Sequence, residues 1–226
     1  MIFFLHGAVG HSSDWDPIMG ALNADQCNAV DIYCYSSEEI DMAARRINSL
    51  AKPNDIIVGY SLGARIALES LLADNSPWSK AILISANTGI TEAKARDERI
   101  QHDRKWSELC NFNWSQFIES WERQSVFDNS KQIADREKLM PKQKEISNTF
   151  IKWSSGIQSA PITKLGKIRI PTLWLTGQSD LKYTKIAKHA CDLLPLSELK
   201  IIENSGHRVP WDNPEKTVDA INVFIS

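Results

Sequence analysis

The chain has 226 residues, 42% of them hydrophobic and 24% charged, with a formal net charge of −2 at neutral pH. That length can bury a proper core as one domain, and the near-neutral balance gives no reason to expect nucleic acid or an anionic membrane as partner. Cys27, Cys34, Cys110 and Cys191 are scattered without C-x-x-C spacing, which argues against a metal site or a disulfide framework and for reduced thiols in the cytoplasm.

Residues 2–5 are apolar without alternation, as in a parallel strand covered on both faces. The run is short and lacks a basic leader, so it reads as a strand and not as a signal peptide. No run reaches membrane-spanning length. A Gly-containing loop follows, His6-Gly7-Ala8-Val9-Gly10. Ser13 or Asp14 is expected to cap a helix over about 15–24. A second strand is expected over 29–33. Ser36 or Ser37, followed by Glu38 and Glu39, is expected to open a helix with Ile40, Ala43, Ala44, Ile47 and Leu50 on its apolar face.

Pro53-Asn54-Asp55 turns into a third strand, 56–58, and a helix-like run covers 65–72. Asn75-Ser76-Pro77 breaks the chain before a fourth strand over 80–85. From about 91 to 159 no strand candidate occurs; the stretch is polar, helical in propensity and rich in Trp and Arg. Strands return at 170–176 and 199–202, with a helix near 183–194 between them. Pro214 opens a last helix, with Val218, Ile221, Val223 and Phe224 among its apolar residues. This rhythm predicts a mostly parallel, doubly wound α/β sheet of about six strands. We expect a single domain, 1–226, with a core of 1–90 and 160–226 and a helical cap over about 91–159 inserted after the fourth strand.

Between the third strand and its helix stands Gly59-x-Ser61-x-Gly63. Strand, sharp turn and helix are the setting of a nucleophile elbow. The strained turn lifts the Ser61 hydroxyl to the top of the sheet, at a helix N-terminus with free N–H groups. A serine hydroxyl needs an imidazole to take its proton and a carboxylate to orient that imidazole. In the α/β-hydrolase arrangement the chain order is Ser, acid, His. Thr176-Gly177-Gln178-Ser179-Asp180 follows the fifth strand and Asn204-Ser205-Gly206-His207 the sixth. Both lie where open α/β sheets place their sites. Alone, Asp180 would read as a helix N-cap and His207 as a surface residue; with Ser61, in this order, they read as a triad. Leu62 and Ala8 are the expected oxyanion N–H donors. His6 reads as a buried, hydrogen-bonded loop residue.

Arg65 stands one helical turn after Ser61 and can flank the same cleft. Arg96, Arg99, Asp103 and Trp106 fall on one helix face. Two arginines and a tryptophan suit planar carboxylates and an unsaturated ring, although the same pattern fits a solvated face. A lipase-like esterase would line its cap with aliphatic residues instead.

On these residues the chain resembles the MenH family, the 2-succinyl-6-hydroxy-2,4-cyclohexadiene-1-carboxylate synthases of menaquinone biosynthesis, within the α/β-hydrolase superfamily. The matching stretches are Phe4-Leu5-His6-Gly7, Gly59-Tyr60-Ser61-Leu62-Gly63-Ala64-Arg65, Arg96-x-x-Arg99-x-x-x-Asp103-Arg104-x-Trp106, Trp121-x-x-Gln124-x-Val126-Phe127, Gly177-x-x-Asp180 and Gly206-His207. The resemblance implies a lyase that eliminates pyruvate from 2-succinyl-5-enolpyruvyl-6-hydroxy-3-cyclohexene-1-carboxylate. His207 would raise the basicity of Ser61, which takes a ring proton; no cofactor and no metal are needed. Tyr60, Arg65, Arg99 and Trp121 match substrate-binding positions. The implied partner is a small carboxylate-rich anion, and the implied protein is cytoplasmic, a monomer or weak homo-oligomer.

The chain departs from the pattern at Ala64, where relatives commonly carry Gly, in the loop from Asp31 to Ser36, and at Pro210, where a second His is usual. A further cap arginine has Lys142 or Lys144 in its place. The chain starts at the strand before His6, so the fold's usual first two strands are expected to be absent. Two other readings remain open. One is a small carboxylesterase or thioesterase with Ser61 as acyl nucleophile. The other is a non-catalytic binding protein, which would be expected to have lost part of the triad.

Overall fold

Runs of Ile, Val, Leu and Phe too short for helices and too apolar for one-sided strands build the centre of the molecule. In the computed structural model, which describes residues 1–24 and 26–226, they form a six-stranded sheet in the order β2-β1-β3-β4-β5-β6. The strands are β1 (Ile2–Leu5), β2 (Cys27–Val30), β3 (Asp55–Tyr60), β4 (Trp78–Ile84), β5 (Thr172–Gly177) and β6 (Ser197–Ile202). Every neighbouring pair is parallel. The chain steps one way from β1 to β2 and the other way from β3 onward. The switch therefore lies between β1 and β3, where open sheets leave a crevice at their carboxyl ends. Leu5 pairs with Gly59, so the loop after β1 emerges beside the turn after β3.

The four inner strands, β1, β3, β4 and β5, largely bury both faces, while the edge strands β2 and β6 are partly exposed. Phe3, Leu5, Ile57, Leu83 and Trp174 pack on one side under α2 (Ile40–Asn48), α3 (Leu62–Leu72) and α7 (Leu181–Leu193). Phe4, Val58, Ile82 and Leu175 pack on the other under α1 (Asp16–Met19) and α9 (Pro214–Ile225). Burial on both faces accounts for the absence of alternation.

Between β4 and β5 the chain forms α4 (Ala93–Phe112), α5 (Trp114–Glu122) and α6 (Gln143–Lys152). Their shared interior is aromatic. The Trp106 ring meets Trp121 edge-on at 5.3 Å and Phe117 at 5.9 Å, and Trp121 meets Phe150 at 5.5 Å. Edge-to-face contacts suit rings with a negative face and a positive edge. Among the described residues, no helix is long and apolar enough to cross a membrane.

Several local expectations are corrected. The helix over 15–24 is only a 3-10 turn, Ser12–Trp15, capped by His11, followed by the four-residue α1. The second strand ends at Val30; Asp31 instead caps a 3-10 turn, Ile32–Tyr35, because its side chain accepts from the Tyr33 N–H at 3.1 Å. Neither Ser36 nor Ser37 caps α2, which starts at Ile40 behind Glu39 with no side-chain cap. Leu50 lies beyond α2 and is exposed, and Val223 of α9 also faces solvent. Sequence reading missed α8 (Val209–Asp212), a single turn opened by Pro210.

Candidate active site

The turn after β3 holds Ser61 at φ 51° and ψ −107°, a conformation costly for a residue with a Cβ. Glycines two residues to either side let the backbone pack closely enough to hold it there. A Cβ on Gly59 would come within 2.6 Å of Ala64 Cα, and one on Gly63 within 2.6 Å of the His6 carbonyl oxygen. The Ser61 N–H donates to the Ile84 carbonyl at 2.9 Å, and the Ser61 carbonyl accepts from the Arg65 N–H at 3.2 Å.

Asp180 and His207 reach Ser61 from the ends of β5 and β6. His207 Nδ1 lies 2.7 Å from Asp180 Oδ2, and His207 Nε2 lies 3.1 Å from Ser61 Oγ. Both are hydrogen-bonding distances. With Nδ1–H donating to the carboxylate, Nε2 is left to accept the serine proton. Asp180 serves two purposes with its two oxygens: Oδ1 also caps α7, accepting from the Tyr183 N–H at 3.3 Å. His207 is 3% exposed, boxed by the rings of Tyr183 at 4.3 Å, Tyr60 at 5.7 Å and Phe127 at 5.9 Å.

Ser61 and His207 open into a cavity of about 390 Å³. Ala8, Leu62, Tyr60, Arg65, Arg99 and Trp121 all line it. Asp180 does not, since it stands behind His207. Ala8 follows β1 and Leu62 opens α3, the two elements that meet at the sheet's switch point, and both line the cavity with Ser61. His6 is fully buried. Its Nδ1 pairs with the Gly7 carbonyl at 2.9 Å and its Nε2 with the Ile32 N–H at 3.3 Å, which leaves neither nitrogen for base catalysis.

The two cavity arginines are held differently. Arg65 is 7% exposed. Its Nε and Nη2 donate to Gln158 Oε1 at 2.8 and 2.5 Å, and Nη2 also to the Trp153 carbonyl at 2.6 Å. Gln158 in turn donates to Glu69 Oε1 at 2.7 Å. Burial and then the neighbouring Arg99 push the Arg65 guanidinium below its ordinary pKa. An incoming carboxylate would relieve both effects. Arg99 is half-exposed and points its Nε at both oxygens of buried Asp103, 2.8 Å from each.

Two expectations about cations fail. Arg96 turns away from the cavity and donates to the Gly156 and Ile157 carbonyls at 2.8 and 3.1 Å. Trp106 packs inside the aromatic cluster rather than lining the cavity. Lys142 is paired with Asp31, and neither Lys142 nor Lys144 lines the cavity. Sequence reading missed Tyr183, Asn87, His102 and Lys182, which do line it. Lys182 and Tyr183 left a trace, two and three residues after Asp180 in the helix it caps, and His102 stands between Arg99 and Asp103 on α4; Asn87, beyond β4, left none.

A profile of the Alpha/beta hydrolase family matches residues 2–220. A 2-succinyl-6-hydroxy-2,4-cyclohexadiene-1-carboxylate synthase from Serratia proteamaculans is 24% identical over 99% of this chain and 92% of its own length. One from Yersinia pseudotuberculosis is 25% identical over 100% of this chain and 87% of its own. Among solved structures, MenH from S. aureus superposes with a TM-score of 0.84 at 21% identity, covering 99% of this chain and 92% of that one. The carboxylesterase CesB from Bacillus subtilis superposes with a TM-score of 0.71 at 17% identity, covering 99% and 82%.

Proposed function

This chain belongs to the alpha/beta hydrolase family, and on that premise we propose that it is a lyase of menaquinone biosynthesis. The reaction is elimination of pyruvate from 2-succinyl-5-enolpyruvyl-6-hydroxy-3-cyclohexene-1-carboxylate, which leaves 2-succinyl-6-hydroxy-2,4-cyclohexadiene-1-carboxylate. The observation that carries the reading is one cavity in which a hydrogen-bonded Ser61–His207 pair shares its walls with Arg65 and Arg99. The names of the Serratia and Yersinia relatives, which carry the same product, support this reading.

In this mechanism His207 Nε2 draws the proton from Ser61 Oγ, and the oxygen takes a proton from the substrate ring. That proton leaves C2, beside the succinyl carbonyl; the C–H electron pair forms a C2–C3 double bond and the existing C3–C4 double bond shifts to C4–C5. The C–O bond at C5 breaks, and the departing enolate takes the proton held on the His207 imidazolium to become pyruvate, which returns Ser61 and His207 to their starting protonation. Asp180 balances the imidazolium that forms on His207. The N–H groups of Ala8 and Leu62 are assigned to developing oxygen charge. Arg65 and Arg99 bind carboxylates, where a rigid guanidinium fork outperforms an ammonium. Tyr60 and Trp121 shape the cleft around the ring. The substrate is thus a small carboxylate-rich anion, and no cofactor takes part.

One observation favours a second reading. Part of each cavity guanidinium is already engaged, Arg65 by Gln158 and Arg99 by Asp103, which would suit a neutral ester cleaved through an acyl-Ser61. Pyruvate release by the purified protein, measured beside a burst assay with nitrophenyl esters, separates the two. The lyase reading expects pyruvate well above background and no acyl burst. Ester hydrolysis with a burst and no pyruvate would overturn it.

A further inference from the structure

A catalytic histidine on a loop must be held by more than its carboxylate, because the loop backbone sets where the ring can go. From the core, Ser85 Oγ donates to the His207 carbonyl at 2.8 Å. The peptides on either side of His207 are held in another way. The Gly206 N–H donates to Asp212 Oδ2 at 2.9 Å, and the Arg208 N–H donates to Ser130 Oγ at 3.1 Å. Ser130 Oγ itself donates to Asp212 Oδ2 at 2.9 Å. These bonds close a ring around the His207 backbone, and Ser130 belongs to the segment between β4 and β5, not to the sheet. The approach is so close that a Cβ on Gly206 would lie 2.5 Å from both the Asn129 carbonyl oxygen and Ser130 Oγ.

A second tie runs through the next side chain. Arg208 is 3% exposed. Its two terminal nitrogens grip the Glu122 carboxylate at the end of α5, both at 2.7 Å, the bidentate geometry that makes such pairs directional. Its guanidinium lies 3.9 Å over the Phe127 ring, and Nη1 also donates to the Lys131 carbonyl at 3.0 Å. Glu122 adjoins Trp121, which lines the cavity.

We propose that residues 122–131 brace the catalytic imidazole, with Ser130 and Glu122 as positioning residues that act through the Gly206–Arg208 backbone and Arg208. The inference rests on reading Ser61, Asp180 and His207 as the reacting triad, but not on the substrate. Neither residue lines the cavity, so neither would touch a ligand there, and the reacting group that both reach is His207. Small displacements of a catalytic group cost large factors in rate.

The test is the rate at which a fluorophosphonate labels Ser61, with fluoride leaving, in wild type, Ser130→Ala, Ser130→Thr and Glu122→Gln. The downfield proton NMR signal of the His207–Asp180 hydrogen bond is recorded for each, and reads the imidazole's position even where labelling is slow. We expect labelling to fall about tenfold in Ser130→Ala and in Glu122→Gln, with the downfield signal shifted or lost. Ser130→Thr, which keeps the hydroxyl, should return both to near the wild-type values. Labelling and proton signal unchanged in both loss variants, whatever their melting temperatures, would overturn the brace, as would a loss that threonine fails to restore. If the lyase reading alone is wrong, pyruvate release is absent from wild type while labelling still ranks the variants as stated.

Discussion

The sheet core and the helical segment between β4 and β5 face each other across the same cavity but hold their shapes by different means. In the core, parallel ladders fix neighbouring strands residue by residue: Leu5 beside Gly59, Tyr60 beside Ile84, Gly177 beside Ile202. The loops carrying Ser61, Asp180 and His207 start at those strand ends and inherit their spacing. The helical segment has no such ladder. Its interior is a cluster of rings, and buried ion pairs tie it to the core loops, Arg208–Glu122 at 2.7 Å and Arg136–Asp14 at 2.9 Å. Backbone hydrogen bonds therefore place Ser61, Asp180 and His207, while side-chain packing places most of the rest of the cavity wall. Substitutions in the core loops should act on turnover and those in the helical segment chiefly on affinity, except along the brace.

The largest expected effect is at the elbow. Ser61→Ala should cut turnover by about a thousandfold or more, with the denaturant midpoint little changed; pyruvate release and equilibrium unfolding check the two parts. Retained turnover would remove the elbow from the mechanism. Next is Phe117→Ala, which empties a fully buried site in the ring cluster and should cost about 3 kcal/mol. Hydrogen exchange should show that loss in α4, α5 and α6, with β3 and β5 still protected. Equal loss in the strands would mean that the two regions fold as one unit.

Arg99→Ala comes third. It should weaken substrate binding by about 2 kcal/mol, read as a rise of roughly thirtyfold in KM against a small change in kcat. A matching fall in kcat instead would place Arg99 in the chemical step. The smallest effect is expected at Arg46→Ala, which removes an exposed pair with Glu38 at 3.2 Å. Such pairs contribute less than about 1 kcal/mol, and both activity and thermal midpoint should stay at wild-type values.

Ser61, Asp180 and His207 could be read from the sequence because each follows a recognisable strand and the turn chemistry is local. Arg65 was legible from its one-turn offset on α3, and Arg99 from its spacing on α4. Trp121 and Tyr60 entered through resemblance. Arg96 misled because its spacing matches that of Arg99, yet the carbonyls of Gly156 and Ile157, about sixty residues on, capture its guanidinium. Lys142, a candidate through resemblance for a family arginine, is held by Asp31 instead. The helix over 15–24 failed because the His11–Asp14 capping box closes a 3-10 turn, with Asp14 accepting from the His11 N–H at 2.8 Å.

The sequence by itself determined the sheet, the elbow and the order of the triad, since these depend on apolar runs, on small residues at a tight turn and on which strand each residue follows. Only the tertiary structure decided which arginines face the cavity, that Gln158 locks Arg65, and that Ser130 and Glu122 grip the loop of His207. Those contacts join residues roughly eighty to ninety positions apart. No local period records such a pairing; it exists only once the aromatic cluster has set the helical segment down on the ends of the strands.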